Sequence, residues 1–164
     1  MEIKDIKLRG ETWNRAIDKL SSIFTTRPNY SIYMLSLAIG IMYDKRIEKF
    51  EGKPEDDRTV PRNVIANHDN GKMDFYFQAA ILTTTTECIS EEKRLELAFG
   101  DSMEFDRIPF LTQFANFGVT KLVELIGETD LETMDNIKNF MVASVEGRNF
   151  DVDELFLEAI DLEE

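Results

Sequence analysis

IPFLTQFANFGVTKLVELI, residues 108–126, decides the fold. Ile108, Leu111, Phe114, Ala115, Gly118, Leu122, Leu125 and Ile126 recur at helical spacing. Phe110, Phe117 and Val119 fall outside that stripe, so the helix is apolar most of the way round. Such a helix is buried on more than one side and forms the centre on which others pack. Pro109 sits in its first turn, where a missing amide costs nothing. Gly118 lies mid-helix, where glycine costs about 1 kcal/mol relative to alanine. Close approach of a second helix is the physical reason to keep it there.

Outward from this stretch the same periodicity repeats. Thr12–Phe24 has one apolar stripe, Trp13, Ile17, Leu20 and Phe24, with Arg15, Asp18 and Lys19 facing away. Pro28 ends the linker that follows, and Asn29 is placed to cap the next helix. That helix, Tyr30–Arg46, has Tyr33, Leu37, Gly40 and Ile41 on one face and small residues where a partner can pass closely. Lys72–Cys88 carries Phe75, Ala79, Leu82 and Thr86 on one face, and the β-branched run Thr83–Thr86 weakens its end. Ser90 caps Ser90–Phe99, whose Leu95, Ala98 and Phe99 are expected inside. Thr129 or Asp130 caps Leu131–Val145, with Met134, Ile137, Met141 and Val145 inward and Gly147 closing it.

Proline and glycine fall between these segments, and alternating β-branched residues are scarce. Ile3, Ile6 and Leu8 make a short edge strand or an extended arm, and Lys45–Arg58 reads as a polar surface loop. The expected fold is therefore an all-α, single-domain globular helical bundle of about six to seven helices. Residues 1–147 form its core domain, and 148–164 form an acidic amphipathic C-terminal helix or tail.

The net charge of −13 is unevenly placed. From Asp130 onward there are eleven acidic and two basic residues, a net of −9. This balance argues against direct binding to nucleic-acid phosphates or to an anionic membrane surface. It leaves open a basic protein partner, or mimicry of nucleic acid. The single cysteine, Cys88, allows no internal disulfide and fits a reducing cytoplasm. No run approaches the roughly 20 apolar residues of a membrane span.

Chemistry-bearing patterns are few. His68 is the only histidine, and beside Asp69 it forms half a catalytic dyad, but its place in the turn Asn67–Gly71 accounts for it with less. Glu55, Asp56 and Asp57 lack the alternating ligand positions of a calcium loop and read as a solvated charge run. Cys88 has no CxxC and no neighbouring cation, so it is expected as a small buried hydrophobe. Glu91-Glu92-Lys93 is only a fragment of a nuclease signature. No phosphate-binding, dinucleotide-binding, hydrolase-elbow or zinc motif is present. No cofactor, metal or catalytic residue is expected. In the tail, Val152, Leu155, Phe156 and Ile160 form an apolar face beside Asp153 and Glu154. These six are the candidate partner-binding residues.

Three short blocks carry a resemblance. Phe24, Tyr30–Tyr33, Leu35–Ile41, Lys45-Arg46 and Phe50 form the first, Thr59-Val60-Pro61 the second, and Phe114-Ala115-Asn116-Phe117-Gly118 the third. Together they span about Phe24–Gly127 and are similar to the small helical proteins associated with Dnd systems, the bacterial defence operons linked to DNA phosphorothioation. In that family the third block reads close to E-Y-A-N-x-G; here Gln113 and Phe114 replace the Glu-Tyr pair. The acidic setting usual around the first block is threonine-rich here. The resemblance implies a non-catalytic accessory subunit of a bacterial antiphage defence complex, from Dnd or a related system. Its partner would be a larger ATPase or nuclease of the same operon, and self-association is compatible with that role. The alternatives are an acidic nucleic-acid mimic acting as a phage anti-defence inhibitor and, least favoured, a carboxylate-based enzyme.

Overall fold

Helix α6, Arg107–Glu124, is buried at Phe110, Leu111, Phe114, Ala115, Asn116, Gly118, Val119 and Leu122. It is thus covered on more than one side, as its apolar circumference requires. The computed structural model describes residues 4–100 and 105–161, with side chains described through residue 146. The main partner of α6 is α2, Pro28–Tyr43, which buries Tyr30, Ile32, Tyr33, Ser36, Leu37, Ile39 and Gly40. A Cβ added to Gly118 would run into the Ser36 carbonyl oxygen, and one added to Gly40 into that of Phe114. The two glycines let the backbones of α2 and α6 touch. This close approach offsets the poor helix propensity of glycine.

Helix α1, Glu11–Leu20, lies against α6 and α2 through buried Trp13, Ala16, Ile17 and Leu20, while Arg15, Asp18 and Lys19 face outward. It ends four residues before Phe24, which is half-buried. Pro28 does not close the linker but occupies the first turn of α2, where its fixed φ suits a helix start. Asn29 is therefore inside α2 rather than its cap, and its Nδ2 donates to the Thr59 carbonyl at 2.8 Å.

A two-stranded antiparallel ribbon joins distant parts of the chain. Strand β1, Ile6–Leu8, pairs with β2, Arg58–Val60, in the register Ile6↔Val60, Lys7↔Thr59 and Leu8↔Arg58. Ile6, Leu8 and Val60 are buried. The polar-loop reading of Lys45–Arg58 thus fails at its last residue. Three residues with one buried side chain are too short to signal a strand by alternation.

Helices α3, Arg62–His68, α4, Lys72–Thr83, and α5, Glu91–Phe99, follow. Two expected faces are corrected here. In α4 the buried residues are Met73, Phe77, Ala80 and Ile81, while Phe75 is 66% exposed and Leu82 lies at the surface. In α5 Leu97 and Ala98 are buried, while Leu95 and Phe99 are exposed. Both helices have apolar residues on more than one side, so periodicity does not single out the covered one. Ser90 does cap α5, its hydroxyl accepting from the Lys93 amide at 3.2 Å.

Helix α7, Asp130–Asp161, is 32 residues long and runs through Gly147, where the sequence suggested a stop. A mid-helix glycine is unfavourable but tolerated, and it ends a helix only when the next residues turn away. Met134, Met141 and Val145, expected inward, are exposed, and Ile137 is half-buried. The chain divides into two compact units, one through Glu124 and one from Leu125. Within the second, the Thr133 hydroxyl donates to the Thr129 carbonyl and accepts from the Gly127 amide, fixing the start of α7. The architecture is all-α with one small ribbon. No described helix is long and apolar enough to cross a membrane.

Candidate functional site

Strand period places Ile6 and Leu8 on one side of β1 and Lys7 and Arg9 on the other. That outer side is one wall of a cleft of about 270 Å³, lined by Lys7, Arg9, Glu48, Lys49, Phe50, Thr112 and Asn116. The opposite wall is the segment after α2. It is pinned to α6 at Ile47, whose amide donates to the Gln113 carbonyl at 3.0 Å and whose carbonyl accepts from Asn116 Nδ2 at 3.1 Å. Phe50 rests on Gly10, where φ is +101° and an added Cβ would come within 2.7 Å of the Phe50 Cβ. Only glycine suits that backbone and that contact.

The cations of the cleft are held differently. Arg9 makes a bidentate pair with Asp57, Nε donating to Oδ1 at 2.9 Å and Nη2 to Oδ2 at 2.7 Å. Hydrogen bonding to Arg9 and its charge hold the Asp57 carboxyl below the usual range and raise the guanidinium in turn. Lys7 Nζ donates to Thr59 Oγ1 at 3.2 Å, and Lys49 is exposed. The floor is neutral and polar. Asn116 Oδ1 accepts from Trp13 Nε1 at 2.9 Å, and Thr112 Oγ1 lies 3.2 Å from the Tyr33 hydroxyl. Burial pushes the Tyr33 hydroxyl up, so it stays protonated.

A second polar cluster is structural. Asp44, at the left-handed end of α2, accepts from Thr84 Oγ1 at 2.6 Å, the Thr85 amide at 2.8 Å and Thr85 Oγ1 at 2.6 Å. Arg46 lies over the rings of Phe110 and Phe114, pairs with Glu87 at 2.8 Å, and donates to Gln113 Oε1 and the Thr86 carbonyl. These contacts tie the turn after α4 to the α2–α6 pair.

Among the described residues, those singled out from sequence do not converge. His68 is exposed at the end of α3, while the carboxylate of Asp69 is buried, accepting from the Tyr30 hydroxyl at 2.9 Å and the Met73 amide. No dyad forms. Glu55 and Asp56 are exposed in a short 3-10 turn, Pro54–Asp56, and Asp57 turns to Arg9. Cys88 is exposed, not buried, because the chain leaves the helix at Thr84. Glu91 and Glu92 are exposed in the first turn of α5. Among the described residues no group of three or more His, Cys, Asp or Glu is arranged to hold a metal. The backbone of residues 152–160 lies on α7, but the side chains of Val152, Asp153, Glu154, Leu155, Phe156 and Ile160 lie outside the described residues.

The fold and this site define a small helical protein with a polar cleft and a long acidic helix from Asp130 onward. No family model, curated protein or solved structure matches it.

Proposed function

We propose that this chain acts by binding a larger protein, as a non-catalytic cytoplasmic accessory subunit, and that α7 is the contact. One observation carries this. Leu131, Met134, Met141, Val142 and Val145 are each between 41% and 69% exposed along a single helix. Helical register continues that row at positions 152 and 156, seven and eleven residues beyond Val145. A helix of 32 residues is about 48 Å long at 1.5 Å per residue. The exposed apolar row from Leu131 to Val145 covers about 21 Å of it, the kind of face an amphipathic helix offers to a groove.

The net charge of −9 from Asp130 onward selects the partner. A second copy of the same helix would bring like charges together, whereas a groove rimmed by Lys and Arg complements it. The family resemblance supplies the setting: a bacterial antiphage defence operon, with a larger ATPase or nuclease as the partner.

Phe156→Asp with Ile160→Asp tests the contact. Partner binding should fall at least tenfold while the far-ultraviolet circular dichroism of the whole chain is kept. Global loss of helical signal would instead make the segment part of the protein's own core. Binding that collapses steeply with salt would favour mimicry of nucleic acid over apolar docking.

A further inference from the structure

The cleft between β1, the segment after α2 and α6 uses residues that the proposed α7 contact does not touch. Its lining has three cations, Lys7, Arg9 and Lys49, against one carboxylate, Glu48. Asp57 offsets part of the Arg9 charge, so the local balance is about +1 in a chain of net −13. Local sign decides what a small ligand meets, because exposed charges farther away than about 8 Å are largely screened at physiological salt.

The cleft is also built rather than incidental. Lys7 and Arg9 share a side by strand period, and Arg9 is held by the bidentate Asp57 pair through Nε and Nη2, its Nη1 having no hydrogen-bond partner among the described residues. Ile47 is bonded to α6 through both its amide and its carbonyl, so the wall bearing Lys49 and Phe50 is fixed. Asn116 uses one of its two Nδ2 hydrogens on Ile47, whereas the Thr112 hydroxyl hydrogen is spent on the Ile108 carbonyl and offers the cleft no donor. Phe50 adds an apolar ring surface. A volume of about 270 Å³ equals the share of roughly nine waters in the liquid, enough for a small organic molecule.

We propose that this cleft binds a small organic phosphate, its anionic head between Lys7, Arg9 and Lys49 and a planar apolar body against Phe50. Lysine and arginine suit a dianionic phosphate better than a carboxylate, because each added negative charge meets another donor. The ring then adds contact area that inorganic phosphate lacks.

Titration of the full chain with phenyl phosphate, benzoate and inorganic phosphate, followed by amide chemical shifts, tests this. Phenyl phosphate should shift the amides of Lys7, Arg9, Lys49, Phe50 and Thr112 saturably, at least fivefold more tightly than either comparison ligand. Lys7→Ala with Lys49→Ala, both exposed, should weaken it about tenfold and leave the thermal midpoint unchanged. Absence of saturable shifts, equal binding of benzoate, or binding unchanged in the double variant would each overturn the proposal. Arg9→Lys keeps the charge but loses the bidentate aim, and should weaken phenyl phosphate less than the double variant does.

Discussion

A single methyl group is enough to probe the contact that holds the fold. At Gly118 it would meet the Ser36 carbonyl oxygen, which is backbone and has no rotamer to escape into. The helices must then move apart, and forcing extra atoms into a packed seam costs about 3 kcal/mol. Gly118→Ala should lower the thermal midpoint by roughly 10 °C, and Gly40→Ala should do the same. Ser36 gives the opposite sign. Its hydroxyl is buried and, among the described residues, has no hydrogen-bond partner. Removing an unsatisfied buried hydroxyl removes a desolvation cost. Ser36→Ala should leave the midpoint unchanged or raise it, although the residue lies in the same seam. A scanning calorimetry series over these three variants reads both signs at once.

Polar contacts fasten the elements to one another, and their pH response follows from one carboxylate. Burial raises the Asp44 pKa, but hydrogen bonds from Thr84 and Thr85, with the charge of Arg46, outweigh it and leave the group below its ordinary value. The unfolded chain therefore takes up a proton at Asp44 before the folded one does. Stability from this contact is full above the unfolded carboxylate pKa of about 4 and is lost as pH falls below it. Asp44→Asn should lower stability at neutral pH and flatten the loss as pH falls below about 4, as read by urea unfolding at each pH. If the slope is unchanged in the variant, the turn after α4 is not held by that carboxylate.

How far the elements were legible depended on whether one face alone is apolar. Trp13, Ile17 and Leu20 are buried as their spacing implies, and α6 is central as its apolar circumference implies. Phe75, Leu95 and Phe99 went the other way, because α4 and α5 carry apolar residues on several sides and cover only one. The cleft was not legible. Lys7 and Arg9 share a cleft with Lys49 because the chain at Arg9 and Gly10 meets Phe50 and Gly52, a contact between distant segments that leaves no periodic trace in the sequence. The alternation of Ile6, Lys7, Leu8 and Arg9 was one of two available signals. Asn116, inside an apolar helix, was the other, since a buried amide implies partners; here they are Trp13 and Ile47.

Across the whole molecule, the blocks that carry the family resemblance are largely the residues that build the body. Gly40 and Gly118 make the α2–α6 seam, Arg46 covers Phe110 and Phe114, and Val60 is buried beside β1. Such residues specify a fold. The proposed partner surface is the exposed apolar row along α7, so in that reading body and contact separate in sequence. The most direct measurement is light scattering on the chain purified after co-expression with the products of its neighbouring genes. A complex of fixed stoichiometry with one larger subunit, lost on Phe156→Asp with Ile160→Asp, is the predicted result. A lone monomer in the presence of those products, or a complex the double variant leaves intact, would contradict a partner-binding role for α7.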